Sequence, residues 1–213
     1  MAFDIQTFKS TFADGGARPT LYDVQVTFPS VGDAPDIGGA DGGAASQMLK
    51  FSCVGASLPE SRMGTIEIPY MGRTIKVEGN RVYPDWTVSV INDEDFTVRN
   101  ALEAWHDKIN AITGNLMAVD YADGGYKMTA LINQYSKIGT TTAVGTGEGT
   151  ILRTYEMVGM FPTLIGDIRL GWDRVNAIED YTVTFALDWW TIYQTNSVLP
   201  AVGSNPLPGV IVS

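Results

Sequence analysis

Nucleophilic or general-base chemistry needs a histidine or a thiolate held beside a partner, and this chain has one histidine and one cysteine. His106 follows Trp105 in a helical pattern and lies off its apolar stripe, so it reads as a solvated surface imidazole. Cys53 alternates with Phe51 on an apolar face and reads as a small core residue. Being alone, it supports neither a disulfide within the chain nor a cysteine-based zinc site. Gly145-Thr146-Gly147-Glu148-Gly149 is glycine-rich, but no Gly-Lys-Ser/Thr follows and no helix pattern opens behind it, and a phosphate cradle needs both. Asp33, Asp36 and Asp41 lack EF-hand spacing and the closing bidentate Glu, which leaves only an unspecific case for a surface calcium site. Asp93, Glu94 and Asp95 are better explained as charges at a helix start. The chain therefore reads as no enzyme, with no cofactor and no metal site expected.

The elements that would position these residues are mostly strands. With 213 residues and 45% hydrophobic content, the chain can build one substantial core and is not disordered. Its 23 glycines cluster between strand-like runs, which favours a mainly β protein with many turns. A formal charge of −10 argues against gripping nucleic acid through its phosphates, which requires clustered Lys and Arg, but not against a protein that nucleic acid passes. Met1-Ala2-Phe3-Asp4 lacks the basic and apolar regions of a secretory leader, and no apolar run nears a bilayer span. The expected location is the cytoplasm where the chain is made.

Along the chain, Phe3 to Ala17 fits an arm or a short helix equally well. Leu21–Pro29 is an expected strand with Tyr22, Val24, Val26 and Phe28 on one face. Ser30–Gln47 reads as a mobile Gly-, Ala- and Asp-rich loop, and Met48–Leu58 as a strand with Leu49, Phe51 and Cys53 together. Gly64–Gly79 reads as a hairpin turning at Tyr70-Met71-Gly72-Arg73, and Pro69 bars it from the middle of a sheet. In Arg81–Ile91, Val82, Trp86, Val88 and Val90 face together, with Thr87 and Ser89 opposite. One helix is expected from about Asp95 to Thr113, with Val98, Leu102, Trp105, Ile109 and Ile112 as its stripe and Gly114-Asn115 as its stop. Leu116–Tyr121 and Tyr126–Lys137 flank a turn, and Gly139–Thr150 is a connection.

The strongest β pattern runs from Ile151 to Trp190. Its first half should stop or turn at Phe161-Pro162. In its second half Tyr181, Val183, Phe185, Leu187 and Trp189 form an apolar face against Thr182, Thr184, Ala186 and Asp188. After Thr191 comes an uncharged tail with three prolines and an apolar end, suited to docking. The hairpin, the tail and Asp188-Trp189-Trp190 amount to more β surface than one small domain would bury, which suggests strand assembly with other copies. Internal closure into a monomeric barrel remains the alternative.

These residues carry a family resemblance: Ala17-Arg18-Pro19-Thr20-Leu21-Tyr22, Leu58-Pro59, Ile75-Lys76-Val77-Glu78-Gly79-Asn80-Arg81, Asp85-Trp86-Thr87-Val88-Ser89-Val90-Ile91-Asn92-Asp93-Glu94, Trp105, Gln134-Tyr135, and Gly159-Met160-Phe161-Pro162 through Leu187-Asp188-Trp189-Trp190. In this order, over roughly residues 17–191, the chain resembles the tail tube proteins of contractile-tailed bacteriophages, relatives in fold of the type VI secretion tube protein. Ser30–Gln47 and the tail depart from that pattern.

The resemblance implies a mainly β fold, a sandwich or half-barrel of antiparallel strands with one flanking helix, closing into a continuous barrel in a hexameric ring. It implies one tail-tube domain over residues 1–192, with a surface loop at 30–47 and a protruding hairpin at 59–79, followed by the tail 193–213. Rings would stack inside a contractile sheath and form an acidic channel, at about −60 per ring, through which the genome is ejected. Implied partners are further copies of the chain, the sheath, baseplate and tail-terminator proteins, and double-stranded DNA in transit, with no membrane. The implied place is the virion tail, assembled in the host bacterial cytoplasm. Ring-to-ring contact is expected at Pro59, Glu60, Arg62, Tyr70, Met71, Arg73 and Lys76, and a channel-facing surface at Thr87, Ser89, Thr182, Thr184 and Asp188. The runner-up is the tube of a phage-derived injection system with protein cargo. From a different class, a monomeric carbohydrate- or calcium-binding β-sandwich is weighed on the aromatics and acidic loops.

Overall fold

The computed structural model describes residues 5–11, 16–29, 43–114, 125–137 and 151–194. Its elements run α1 (Ile5–Thr11), β1 (Tyr22–Val26), α2 (Gly43–Ser52), β2 (Cys53–Ala56), β3 (Arg62–Tyr70), β4 (Arg73–Val82), β5 (Trp86–Ile91), α3 (Thr97–Ile109), β6 (Met128–Tyr135), β7 (Ile151–Ile165), β8 (Asp180–Ala186) and β9 (Trp189–Gln194). Every strand pair is antiparallel.

The long strand β7 organises the main sheet, whose order is β1-β6-β7-β8-β5-β2 with β9 also on β7. Its first part pairs with β6 on one side and β9 on the other, and its last part pairs with β8. The two halves face each other across one core. Val24, Val26, Ile132 and Met157 come from the β1/β6/β7 part, and Trp86, Val88, Val183 and Phe185 from the β5/β8 part. Alternation by two supplies each of these, as a half-buried strand requires. Helices α2 and α3 close the core with Ala45, Leu49, Val98, Leu102 and Trp105. Trp105 is fully buried, sits edge-on to Phe28 at 5.8 Å, and its Nε1 donates to the Tyr126 carbonyl at 2.8 Å. Truncating such a side chain costs on the order of 3–5 kcal/mol. The fold is thus a mainly β, antiparallel sandwich with flanking helices.

Several sequence expectations are corrected. Gly43–Gln47 is not loop and Met48–Ser52 is not strand; both belong to α2. The stretch is rich in good helix formers, and its buried residues Ala45, Leu49 and Ser52 recur at helical intervals, while Phe51 is exposed. Among the described residues α2 is thus an unexpected helix, shorter than α3, whereas α1 is the short helix that Phe3 to Ala17 allowed. Helix α3 ends at Ile109, well before Gly114, because Asn110 is extended and the Asp107 carboxylate accepts the Ile112 N–H at 3.2 Å. Ile112 is consequently exposed. At the other end, Asp93 accepts from both the N–H and the hydroxyl of Thr97, at 3.0 and 2.6 Å.

Strand β7 does not stop at Pro162. Strand β6 has already ended at the Met128↔Met160 pair, so proline sits where no ladder donor is required on that side. Val82 is exposed; it ends β4 at the base of the hairpin, opposite Arg62, and belongs to the two-stranded sheet rather than to the core face of β5. Trp189 is exposed as well, and the half-buried Trp190 packs inward in its place. The Leu116–Tyr121 and Gly139–Thr150 readings, the Asp33, Asp36 and Asp41 loop, the glycine run at 145–149 and the tail from 195 onward lie outside the described residues.

Candidate assembly surfaces

Strands β3 and β4 form a separate two-stranded sheet joined by a two-residue turn. Met71 and Gly72 both have positive φ, 43° and 78°, the pattern that matches the right-handed twist of a hairpin. Opposed pairs share a face. Ile66↔Val77, Ile68↔Ile75 and Tyr70↔Arg73 make one side, and Thr65↔Glu78, Glu67↔Lys76 and Pro69↔Thr74 the other. The hairpin is therefore amphipathic, yet its apolar side is not covered: Ile66, Ile68, Tyr70 and Ile75 are about half exposed or more. On the polar side Lys76 lies 3.4 Å from Glu67. Being solvent-exposed, that pair adds little stability.

The root of the hairpin is fixed by two indoles. Trp86 Nε1 donates to the Ser57 carbonyl at 2.7 Å, and Trp190 Nε1 donates to the Glu60 carbonyl at 3.0 Å. Between these carbonyls Pro59 is buried. Trp190 is held edge-on by Tyr155 at 5.8 Å and Tyr83 at 6.2 Å. Just beyond, the Glu60 carboxylate pairs with Arg62 at 2.8 Å. Of the expected ring-contact residues, Glu60, Arg62, Tyr70, Met71, Arg73 and Lys76 thus lie exposed on the hairpin or its approach, whereas Pro59 belongs to the root. The two tryptophans were missed from sequence as root residues. Their signal was available: indole N–H groups seek an acceptor, and the carbonyls around Pro59 fall outside any ladder.

A second surface lies on the solvent side of β5 and β8. Thr87 stands opposite Thr184 and Ser89 opposite Thr182, and the Thr87 and Thr184 hydroxyls are 3.1 Å apart. Thr163 adds a hydroxyl that donates to the Thr184 carbonyl at 3.1 Å. Four of the five expected channel residues are therefore brought together as a neutral ladder. Asp188 stands apart. The chain breaks step between β8 and β9, and the Asp188 carboxylate pairs with Lys127 at 2.8 Å. The break faces Gly159, whose φ is +70° and where a Cβ would fall on the Asp188 carboxylate. Only glycine serves at that position.

Cys53 is buried, and burial pushes its thiol up to about 11, away from the thiolate. His106 is half-buried rather than solvated: its Nε2 meets the Pro162 carbonyl at 3.1 Å, so it acts as a donor to the strand edge that β6 leaves open. Among the described residues no group of three or more His, Cys, Asp or Glu side chains could hold a metal, and no helix is long and apolar enough to cross a membrane.

Comparison with known proteins bears on these surfaces. Residues 17–193 match the family model described as phage tail tube protein. The chain is 30% identical over 178 residues to the tail tube protein gp19 of Enterobacteria phage T4, covering 82% of this chain and 90% of that protein. In fold it is similar to a chain from the extended sheath-tube complex of an extracellular contractile injection system, with a TM-score of 0.52 at 15% identity, covering 91% of this chain and 99% of the other. A chain from the sheath/tube terminator of that system gives a TM-score of 0.53 at 18% identity, covering 84% and 96%.

Proposed function

This chain belongs to the phage tail tube protein family, and we propose that it works by closing six copies into a ring around a central channel. It is a structural component of a bacteriophage tail. In the proposed assembly the β-sheets of neighbouring copies join into one barrel, which removes their free edges. Rings stack into the inner tube of a contractile tail, with the sheath, baseplate and tail-terminator proteins as neighbours. Assembly takes place in the host cytoplasm.

The observation that carries this reading is the uncovered apolar face of the β3–β4 hairpin. A two-stranded hairpin alone is marginal in water, and a contiguous exposed apolar face on a rigid root marks an interface. Glu60, Arg62, Tyr70, Met71, Arg73 and Lys76 form the ring-to-ring contact, with Pro59 setting its root. The Thr87, Ser89, Thr182 and Thr184 ladder faces the channel. Its neutral hydroxyls offer no cationic hold on phosphate, and a net charge of −10 per copy repels a passing polyanion, so double-stranded DNA slides without binding. A protein-cargo injection tube is the second reading, favoured by the fold similarity to the contractile injection system. The phage relative, at higher identity over most of both chains, favours DNA.

Negative-stain imaging of the purified chain tests the assembly. Rings or rods with a hollow axis are expected, and a chain that stays monomeric in solution is a β-sandwich of another kind. Deleting Tyr70–Arg73 should abolish stacking; rods of normal length from that variant would remove the hairpin from the contact.

A further inference from the structure

Gly72 suits the turn that closes the hairpin, and Met71 does not. Two-residue loops of this kind hold both central residues at positive φ, which Asn-Gly, Asp-Gly and Gly-Gly supply at little cost. Met71 stands at 43° with a full side chain, where a Cβ crowds the following carbonyl. Among the described residues two other non-glycines have positive φ, and each has a local reason. Asn176 is of a type that tolerates the region. Phe96 is held at the start of α3, where its N–H donates to the Asp93 carbonyl at 3.0 Å and its own carbonyl accepts the Asn100 N–H at 2.8 Å. Met71 has no such reason: it is 88% exposed, so no packing within its own chain offsets the strain.

A local rule broken without local compensation points to compensation from outside the chain. Met71 follows Tyr70 at the far end of the apolar side formed by Ile66, Ile68 and Ile75. It lies about 30 Å beyond Arg62, at roughly 3.3 Å per residue, on a root fixed by two indoles. A tip held there loses little freedom on docking, and an unbranched thioether fills an irregular apolar gap well. Charge indicates what receives it. Arg62 is paired with Glu60 and Lys76 with Glu67, but Arg73, beside the turn, makes no ion pair or hydrogen bond among the described residues. A second copy, at a net charge of −10, is an acidic body for that unpaired cation.

We propose that Met71 anchors the hairpin on a second copy of this chain, kept in a strained turn because its thioether enters an apolar site there, beside which Arg73 meets acidic groups. This deepens the ring-to-ring reading of the hairpin and rests on it for the neighbouring copy. Met71→Asn completes the Asn-Gly pair that the turn favours and removes the anchor, so it should move two measurements in opposite directions. In the unassembled chain, amides of residues 65–78 should exchange about fivefold more slowly as the strain is relieved. The concentration needed to stack into rods should rise at least roughly tenfold, as for a buried anchor. Met71→Leu, which keeps the apolar bulk, should stack nearly as the parent chain does. Arg73→Gln should weaken stacking more at low salt than at high salt; unchanged stacking at low salt would overturn the charged part of the contact. Slower exchange of Met71→Asn with unchanged or easier stacking would make Met71 merely a poor turn residue, overturning the docking while the tube reading stands. Faster exchange would remove the strain and overturn it too. Normal rods of Met71→Asn that no longer hold the sheath would give the tip to that partner instead of a second copy. A parent chain that forms neither rings nor rods would refute the tube reading itself, and the docking with it.

Discussion

Replacing Trp190 by Phe separates the anchoring of the hairpin from the integrity of the fold. Phenylalanine keeps an aromatic ring against Tyr155 and Tyr83 and removes the N–H that meets the Glu60 carbonyl at 3.0 Å. Glu60 is exposed, so its carbonyl can turn to water, and the net loss is that of one ordinary hydrogen bond, about 1 kcal/mol. Confined to the hairpin root, that amount raises local opening about fivefold. The melting temperature of a domain this size should fall by no more than about 2–4 °C. Amide hydrogen exchange followed by mass spectrometry reads this directly. Peptides covering 60–82 should exchange about fivefold faster, while those from β5 and β8 keep their protection. Trp86→Phe is the contrasting case, because Trp86 is buried against Phe185 at 5.8 Å and its loss spreads through the core. Unchanged exchange in the hairpin of Trp190→Phe would refute the idea that the indole holds the root. A uniform rise across all strands would show that Trp190 serves the core instead.

Two other perturbations bear on the fold. Gly159→Ala places a methyl group on the Asp188 carboxylate at a φ of +70°, and should cost more than about 1 kcal/mol and break the Lys127 pair, as chemical denaturation would show. A fully stable Gly159→Ala chain would contradict the described bend. Stability should also fall in alkali, because burial raises Cys53 to about 11 and Tyr181 to about 12 in the folded state. The unfolded chain then loses these protons first, so the contribution is complete below about pH 8.5 and is lost as pH rises through those values. Cys53→Ala should make the early part of that decline shallower in pH-dependent denaturation; an identical decline would exclude the thiol.

What was legible in the sequence was whatever repeats locally. Val24, Val26 and Phe28, the Trp86–Val90 alternation, the Val98–Leu102–Trp105 stripe and the turn at Met71-Gly72 all follow from period and turn chemistry, and all stand in the structure. The failures share a cause in non-local placement. Leu49, Phe51 and Cys53 fit a period of two, but Ala45, Leu49 and Ser52 fit a helix, and packing on β1 decides between them. Pro162 reads as a stop, yet the end of β6 leaves it an edge position where proline is harmless. His106 reads as solvated because its acceptor, the Pro162 carbonyl, is distant in sequence. The candidate surfaces were legible as hairpin and hydroxyl ladder, whereas their anchors, the two indoles and the Gly159 bend, depend on which strands meet.

The break between β8 and β9 explains why one tryptophan of Trp189-Trp190 faces in and which one it is. Uninterrupted alternation from Tyr181 would bring Trp189 to the core side. Opposite Gly159 the chain takes an irregular step through Leu187 and Asp188, so β9 pairs with β7 in a shifted phase and Trp190 turns toward Tyr155 and the hairpin root. Strand β8 meanwhile keeps Thr182 and Thr184 on the ladder with β5. One bend thus sets two surfaces, the hydroxyl face through β8 and the hairpin through Trp190, and it is pinned by the Lys127–Asp188 pair. A change at Gly159 should therefore move the hairpin relative to the ladder, and the proposed ring, in which these two surfaces would serve as stacking contact and channel wall, should lose assembly before the chain loses its fold.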